Sequence, residues 1–194
     1  MAQNNTANVS TGKGVAGGYF FTAPVGTTLP TNYTSTLDSA FVNCGFLTDE
    51  GITSSMDASA DNFTDLNGDD IATANSARTR TLGLQFAEMN EASLKEVFGQ
   101  SNVTTADNMI TVKHNNTEMP ERSIVLELVL RDSRRWRRVI PKAKVTSWED
   151  MSIVSTSLVT LPVSYTMYSD SSGEFIYDYI QQGPSGATGA TGDE

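Results

Sequence analysis

Apolar and polar positions alternate along several short stretches of the chain, and in one place the alternation gives way to a helical period. That place runs from Ser76 to Gly99, SARTRTLGLQFAEMNEASLKEVFG. Leu82, Leu84 and Phe86 fall on one phase, with Thr81, Gly83 and Gln85 on the other, which predicts a half-buried strand. Asn90 then offers an N-cap, Glu91 an anion in the first turn, and Leu94, Val97 and Phe98 an i, i+3, i+4 stripe before Gly99. A helix this short is unstable alone, so it is expected to lie on a sheet. No second stretch of comparable helical quality exists, so sheet and loop should make up the rest.

Taken in order, residues 1–18 are rich in Asn, Thr and Gly and read as a flexible arm, ordered when a partner pins it. Tyr19, Phe20 and Phe21 form the first apolar cluster, and Pro24, Gly26 and Pro30 then interrupt regular structure. Phe41–Val42 and Phe46–Leu47 around Gly45 predict one strand near a bulge. Residues 51–56 are a weak strand candidate. Residues 57–75 read as a long polar, acidic loop, with Asn67-Gly68 able to turn a small hairpin flanked by Phe63, Leu66 and Ile71. Strands are expected at 108–113, 122–131, 134–140 and 142–148, with Pro141 breaking the last two apart. Further strands are expected at 158–168, where Pro162 argues for an edge or a bulge, and at 174–180. In the strand at 122–131, Ile124, Leu126, Leu128 and Leu130 share a face, while Val125, Glu127, Val129 and Arg131 form a mixed one. From Gly183 glycine recurs every third residue. Four such triplets are too few for a collagen-like triple helix, so 183–194 is expected to be a flexible tail.

Composition changes this picture little. A chain of 194 residues, 38% hydrophobic, suits one domain of short strands and turns, 19–182, between the two tails. The single cysteine, Cys44, excludes an intrachain disulfide and a cysteine-based metal cage. The N-terminus lacks a signal core, and no window reaches the roughly 18 apolar residues of a membrane span. The expectation is a protein made in a cytoplasm that does not insert in membranes.

Charge changes it more. Thirteen basic and 23 acidic residues give −10, which opposes tight non-specific binding to nucleic acid. The charges are also segregated. Between Gly14 and Ala77 stand Asp38, Asp49, Glu50, Asp57, Asp61, Asp65, Asp69 and Asp70 without one Lys or Arg. Between Arg131 and Lys144 stand Arg131, Arg134, Arg135, Arg137, Arg138, Lys142 and Lys144 against Asp132 alone, with Trp136 in their midst. Three readings stay open: complementary surfaces for head-to-tail self-association, a basic hairpin neutralised within the monomer, or a nucleic-acid patch at Arg134–Arg138.

Candidate chemistry is sparse. Asp65, Asn67 and Asp69 are spaced like calcium ligands, but Gly68 and Ser76 occupy the fourth and twelfth positions, where an EF-hand needs glycine at the sixth and glutamate at the twelfth. An acidic hairpin turn is the simpler reading. His114 is the only histidine and lies outside any nucleophile, phosphate-loop or zinc motif. No catalytic residue, metal ligand or cofactor is therefore assigned.

Four stretches together resemble the major tail proteins, or tail tube proteins, of long-tailed bacteriophages with non-contractile tails. They are GVAGGYFFTAPVGTTLPTNYTSTLDSAFVNCGFLTDEGIT, DNFTDLNGDDIATANSARTRTLGLQF, EMNEASLKEVFGQSNVT and SLVTLPVSYTMYSDSSGEFI. The resemblance lies in order and style over most of residues 14–180. It implies a mainly β fold, an antiparallel sandwich or barrel flanked by one helix. It implies a non-enzymatic virion subunit in hexameric rings, stacked into a tube through which the genome passes without specific binding. Residues 1–18, about 45–77 and 174–182 would contact neighbouring rings, and tape measure and terminator proteins would be further partners. The interface candidates are Asp49, Glu50, Asp57, Asp61, Asp65, Asp69 and Asp70 on one side, and Arg131, Arg134, Arg135, Arg137 and Arg138 on the other. A tail terminator or connector, or a nucleic-acid-binding β-barrel, are the alternatives.

Overall fold

A computed structural model describes residues 9–183, with the backbone alone at 75–77. Expectations for residues 1–8 and 184–194 lie outside the described residues. Eleven strands and one helix follow in the order β1 Gly12–Gly14, β2 Phe20–Pro24, β3 Val42–Asn43, β4 Leu47–Thr64, β5 Asp70–Phe86, α1 Glu91–Phe98, β6 Val103–Ala106, β7 Met109–Val112, β8 Arg122–Leu130, β9 Arg135–Trp148, β10 Leu161–Tyr168 and β11 Tyr177–Ile180. The fold is mainly β with one short helix, as expected.

Nine strands form one antiparallel sheet in the order β3-β2-β8-β9-β10-β5-β4, while β6 and β7 form a separate hairpin. The long β8–β9 pair is the axis. On the outer edge of β8, β1 and β2 lie end to end, and on that of β9, β11 and β10 do the same. The sheet curls. Phe20 of β2 meets Phe86 of β5 edge-on at 5.5 Å and Tyr165 of β10 at 6.3 Å across a common core. Leu82, Leu84 and Phe86 are buried in that core, on the phase their alternation predicts.

The two edge strands, β3 and β4, are consecutive in the chain. The corner Cys44–Phe46 joins them: the Cys44 amide donates to the Phe20 carbonyl at 3.0 Å and the Ala87 amide to the Phe46 carbonyl at 2.9 Å. Gly45 makes the corner with φ +90, and a Cβ there would sit 2.4 Å from Glu88 Oε2. The residues expected to form one strand therefore form two, because the chain has to cross from one sheet edge to the other.

Both faces of β8 are covered. Ile124 and Leu126 enter the core, and Val125 packs with Val139, Ala23 and Phe41 on the outer face, with Leu29 and Leu37 beside them. The helix keeps the predicted bounds. Asn90 accepts from the Ser93 amide and Ser93 Oγ accepts from the Asn90 amide, a capping box. Leu94 and Val97 point inward, and Trp148 Nε1 donates to the Val97 carbonyl at 2.7 Å.

Three expectations are corrected. Residues 57–75 are not a long loop: the hairpin that Asn67-Gly68 allows is present, and its strands run on as β4 and β5, paired from Asp57↔Thr79 to Thr64↔Asp70. Pro141 does not split β9. The register against β8 shifts between Arg122 and Ile124, so Pro141 sits at a bulge, where its missing N–H costs no ladder bond; Ser123 Oγ donates to its carbonyl at 2.7 Å. Pro162 does not mark an edge strand, since β10 lies between β9 and β5, and the bulge that was its alternative lies further on, where the register against β9 shifts between Ser164 and Tyr165. Pro162 is instead the second residue of β10, one step before Val163 meets Trp148, the last residue of β9. The pair β6–β7 adds a strand the sequence reading lacked, turning through Asp107 and Asn108, both at positive φ.

Candidate assembly surfaces

The strand directions place the two charged surfaces. β5 pairs with β10 from Phe86↔Leu161 to Arg80↔Met167. Beyond Arg80 its only partner is β4, so Asp57–Thr64 and Asp70–Thr79 make a two-stranded arm about 30 Å long at ~3.3 Å per residue. Asp57, Asp61, Asp69 and Asp70 are exposed on it. Asp65 is committed to the turn: Oδ1 accepts from the amides of Asn67 at 2.8 Å and Asp69 at 2.9 Å. Those bonds, that to the Asp69 amide above all, hold its carboxyl below the usual carboxylate range. Asp49 and Glu50 lie exposed at the end of β4 away from the arm, beside Gln85 and Phe86, where Gly51 at φ +78 accompanies a register shift and Gln85 donates to Glu50.

The β8–β9 turn points toward the same end as the arm, since β9 runs away from it and is antiparallel to β10. Asp132 and Ser133 turn the chain at φ 65 and 63. The Arg131 amide donates to Ser10 Oγ at 2.8 Å, tying down the chain ahead of β1.

The five arginines of this hairpin do different things. Arg137 is buried on the outer face, within hydrogen-bond reach of Glu127 at 2.7 Å, and its Nη1 donates to the carbonyls of Asn32 at 2.7 Å and Ser35 at 2.8 Å. It fastens the 25–41 segment over the sheet. Arg138 binds Asp178 with two bonds of 2.9 Å, and Trp136 Nε1 donates to the same carboxylate at 2.6 Å. Arg131, Arg134 and Arg135 have no carboxylate partner among the described residues. Arg131 and Arg135 are exposed, whereas Nε and Nη2 of Arg134 are sheltered and without a hydrogen-bond acceptor. Lys142 and Lys144 pair with Glu121 and Glu118. Neutralisation within the monomer thus accounts for four of the seven bases (Arg137, Arg138, Lys142 and Lys144) and leaves the three nearest the turn.

Sequence reasoning missed a buried polar cluster behind the helix. Arg122 Nε donates to Glu96 Oε1 at 2.9 Å, Thr22 Oγ1 donates to the same oxygen at 2.8 Å, and Gln100 reaches it at 3.1 Å. Burial pushes the Glu96 carboxyl up, and Arg122 opposes that shift. Beside Thr22, burial pushes the Cys44 thiol up to about 12, so it is a neutral packing group at neutral pH. His114 is exposed and lies edge-on to Phe98 at 4.7 Å. Among the described residues no helix is long and apolar enough to cross a membrane.

The family model described as phage tail tube protein matches residues 1–190. No curated protein matches the chain. Among solved structures, the tube-terminating cap of the anti-feeding prophage, from cryo-electron microscopy, aligns with a TM-score of 0.41 and 13% identity over 87% of this chain and 93% of that one.

Proposed function

The chain belongs to the phage tail tube protein family, and from that premise we propose that it is a structural subunit that assembles with copies of itself into stacked rings, the conduit for genome delivery. The observation that carries this reading is the β4–β5 arm. A two-stranded ribbon is marginal in water, and this one exposes Phe63 and Ile71 on its strands and Leu66 at its turn. Such a ribbon gains a stable setting when a neighbouring copy covers it. The unpaired Arg131, Arg134 and Arg135 lie toward the same end as the acidic arm, which suits side-by-side contact between ring neighbours. Identical copies offering both signs repeat that contact. Acidic groups left over would repel the phosphate backbone and keep DNA from sticking in the lumen. The subunit would be made in the host cytoplasm and meet the tape measure and terminator proteins in the tail.

Electron microscopy of the purified full chain, beside sedimentation, tests this. Rings and tubes are expected. A single closed ring that never stacks would favour a terminator, and a salt-sensitive monomer–DNA complex would favour nucleic-acid binding.

A further inference from the structure

The last strand delivers the chain to the basic turn. β11 runs antiparallel to β9, from Tyr177↔Val139 to Ile180↔Trp136, and so heads for the β8–β9 turn. Gln181 carries the pairing one residue further: its amide donates to the Arg135 carbonyl at 2.8 Å, and its Oε1 accepts from the Arg135 amide at 3.1 Å. The surface reached there is basic. Arg131, Arg134 and Arg135 have no carboxylate partner among the described residues. Neither has Lys13 of β1, which lies opposite Val129, itself opposite Arg135. The acids close by are engaged: Glu127 holds Arg137, and Asp178 holds Arg138 and Trp136. Asp132 is the single acid of the turn itself.

We propose that Asp193 and Glu194 fold back onto these arginines in the free subunit and occupy the surface that a ring neighbour's acidic groups would use. The proposal rests on the assembly reading above and adds a brake to it. Three observations carry it. First, place: Gly183 stands two residues beyond Gln181, which already touches Arg135. The chain from Gly183 to Asp193 can span up to roughly 35 Å, more than that return requires. Second, charge: residues 184–194, PSGATGATGDE, carry no charged side chain except these two acids. No base within the segment competes for them, and the short tether holds them near the turn at about millimolar effective concentration, which a dilute neighbour does not match. Third, a receptor: Nε and Nη2 of Arg134 are sheltered and lack an acceptor. They form the edge of the guanidinium that grips a carboxylate with two parallel bonds, and a sheltered donor left unmatched is costly.

The test has a monomer arm and an assembly arm, both on the full chain. In the first, Gly192→Cys carries a nitroxide label. Cys44 is buried and its thiol is pushed up to about 12, so it stays unlabelled. Below the assembly concentration and at low salt, the label should broaden the amide signals of Arg131–Trp136. The same label in an Asp193→Asn/Glu194→Gln background gives the broadening due to the tether alone. The parent should exceed that level, and raised salt should bring it down to it. In the second arm, Asp193→Asn/Glu194→Gln should speed ring formation at low salt by roughly two- to tenfold, the range expected of a few exposed ion pairs. In an Arg131→Glu/Arg135→Glu background the same change should not speed it. Equal broadening with and without the two acids would overturn the fold-back and leave the ring reading standing. Unequal broadening with unchanged growth would overturn the brake. Protein that never assembles would overturn the ring reading and the brake with it, while the labelled monomer still decides the fold-back.

Discussion

Glu96 on the helix and Arg122 on β8, 26 residues apart, meet at 2.9 Å inside the protein with side-chain exposures of 2% and 10%. This pair, with Thr22 between its members, ties the single helix to the two strands on which it rests. Burying two charges is costly and their attraction largely offsets that cost, so the pair adds little net stability. Removing one partner is what destabilises.

Arg122→Met should therefore cost about 3–5 kcal/mol, because it strands a carboxylate in the interior, while Glu96→Gln/Arg122→Met should recover much of the loss. The pH dependence has a sign. Burial raises the Glu96 carboxyl in the folded state, and Arg122 is the main group opposing that rise. Without the arginine, folded Glu96 holds its proton well above the unfolded value of about 4.3. The variant should be most stable below that value and lose stability as pH rises through the folded one. Urea titrations at several pH values measure this. A variant whose deficit is the same at every pH would show that Glu96 is not the responsible group.

Gly45→Ala should destabilise the subunit by more than ~1 kcal/mol, since alanine resists positive φ and its methyl would press on Glu88. The same change at Gly26, also at positive φ but with nothing within 4 Å, meets the backbone cost alone. Thermal melts of the two variants compare corner against open turn, and equal melting temperatures would argue against crowding at the corner.

The legible parts of this fold are those where one face is buried. Leu82, Leu84 and Phe86 announced β5, and Asn90 through Gly99 announced the helix to the residue, because burial writes a period into the sequence. The arm was legible only at its Asn67-Gly68 turn, and its length was not, for the same reason. Residues 57–64, 70–74, 78 and 79 are all exposed in the subunit, so nothing forces alternation there, and a ribbon reads as a loop. Pro141 misled because a bulge needs knowledge of the register opposite it. Charge was legible as position but not as partner: Arg137 and Arg138 look like Arg131 and Arg135 in the sequence, yet Glu127 and Asp178 take them up. Only alternation along β9 hints at it, setting Arg137 on the face of Val139 and Arg138 on that of Ile140.

Excising the arm, by joining Ala58 to Arg78 through a two-residue Asn-Gly turn, should leave the core intact, since beyond Arg80 the arm pairs only with itself. The shortened protein should melt within a few degrees of the parent and form no tubes. In the parent, amide exchange at Asp57–Thr64 should be fast in the monomer and slow in the assembly. Tube formation without the arm would remove it from the assembly mechanism.

The basic turn allows a sharper experiment than the charge block alone suggested. Arg138→Glu would break the pair with Asp178 and Arg137→Glu would place a second carboxylate beside that of Glu127, so both changes confuse folding with assembly. Arg131 and Arg135 are exposed and have no carboxylate partner among the described residues. Arg131→Glu/Arg135→Glu should therefore keep the circular dichroism spectrum and melting temperature of the parent. Exposed pairs contribute only about 0–1 kcal/mol each, so the expected effect falls on the rate and register of association rather than on final stability. Ring formation should slow in the double variant, and raised salt should slow the parent toward the variant's rate by screening the same contacts. Light scattering across a salt series reads both effects. Identical growth curves for parent and variant at low salt would leave these two arginines as an ordinary solvated turn.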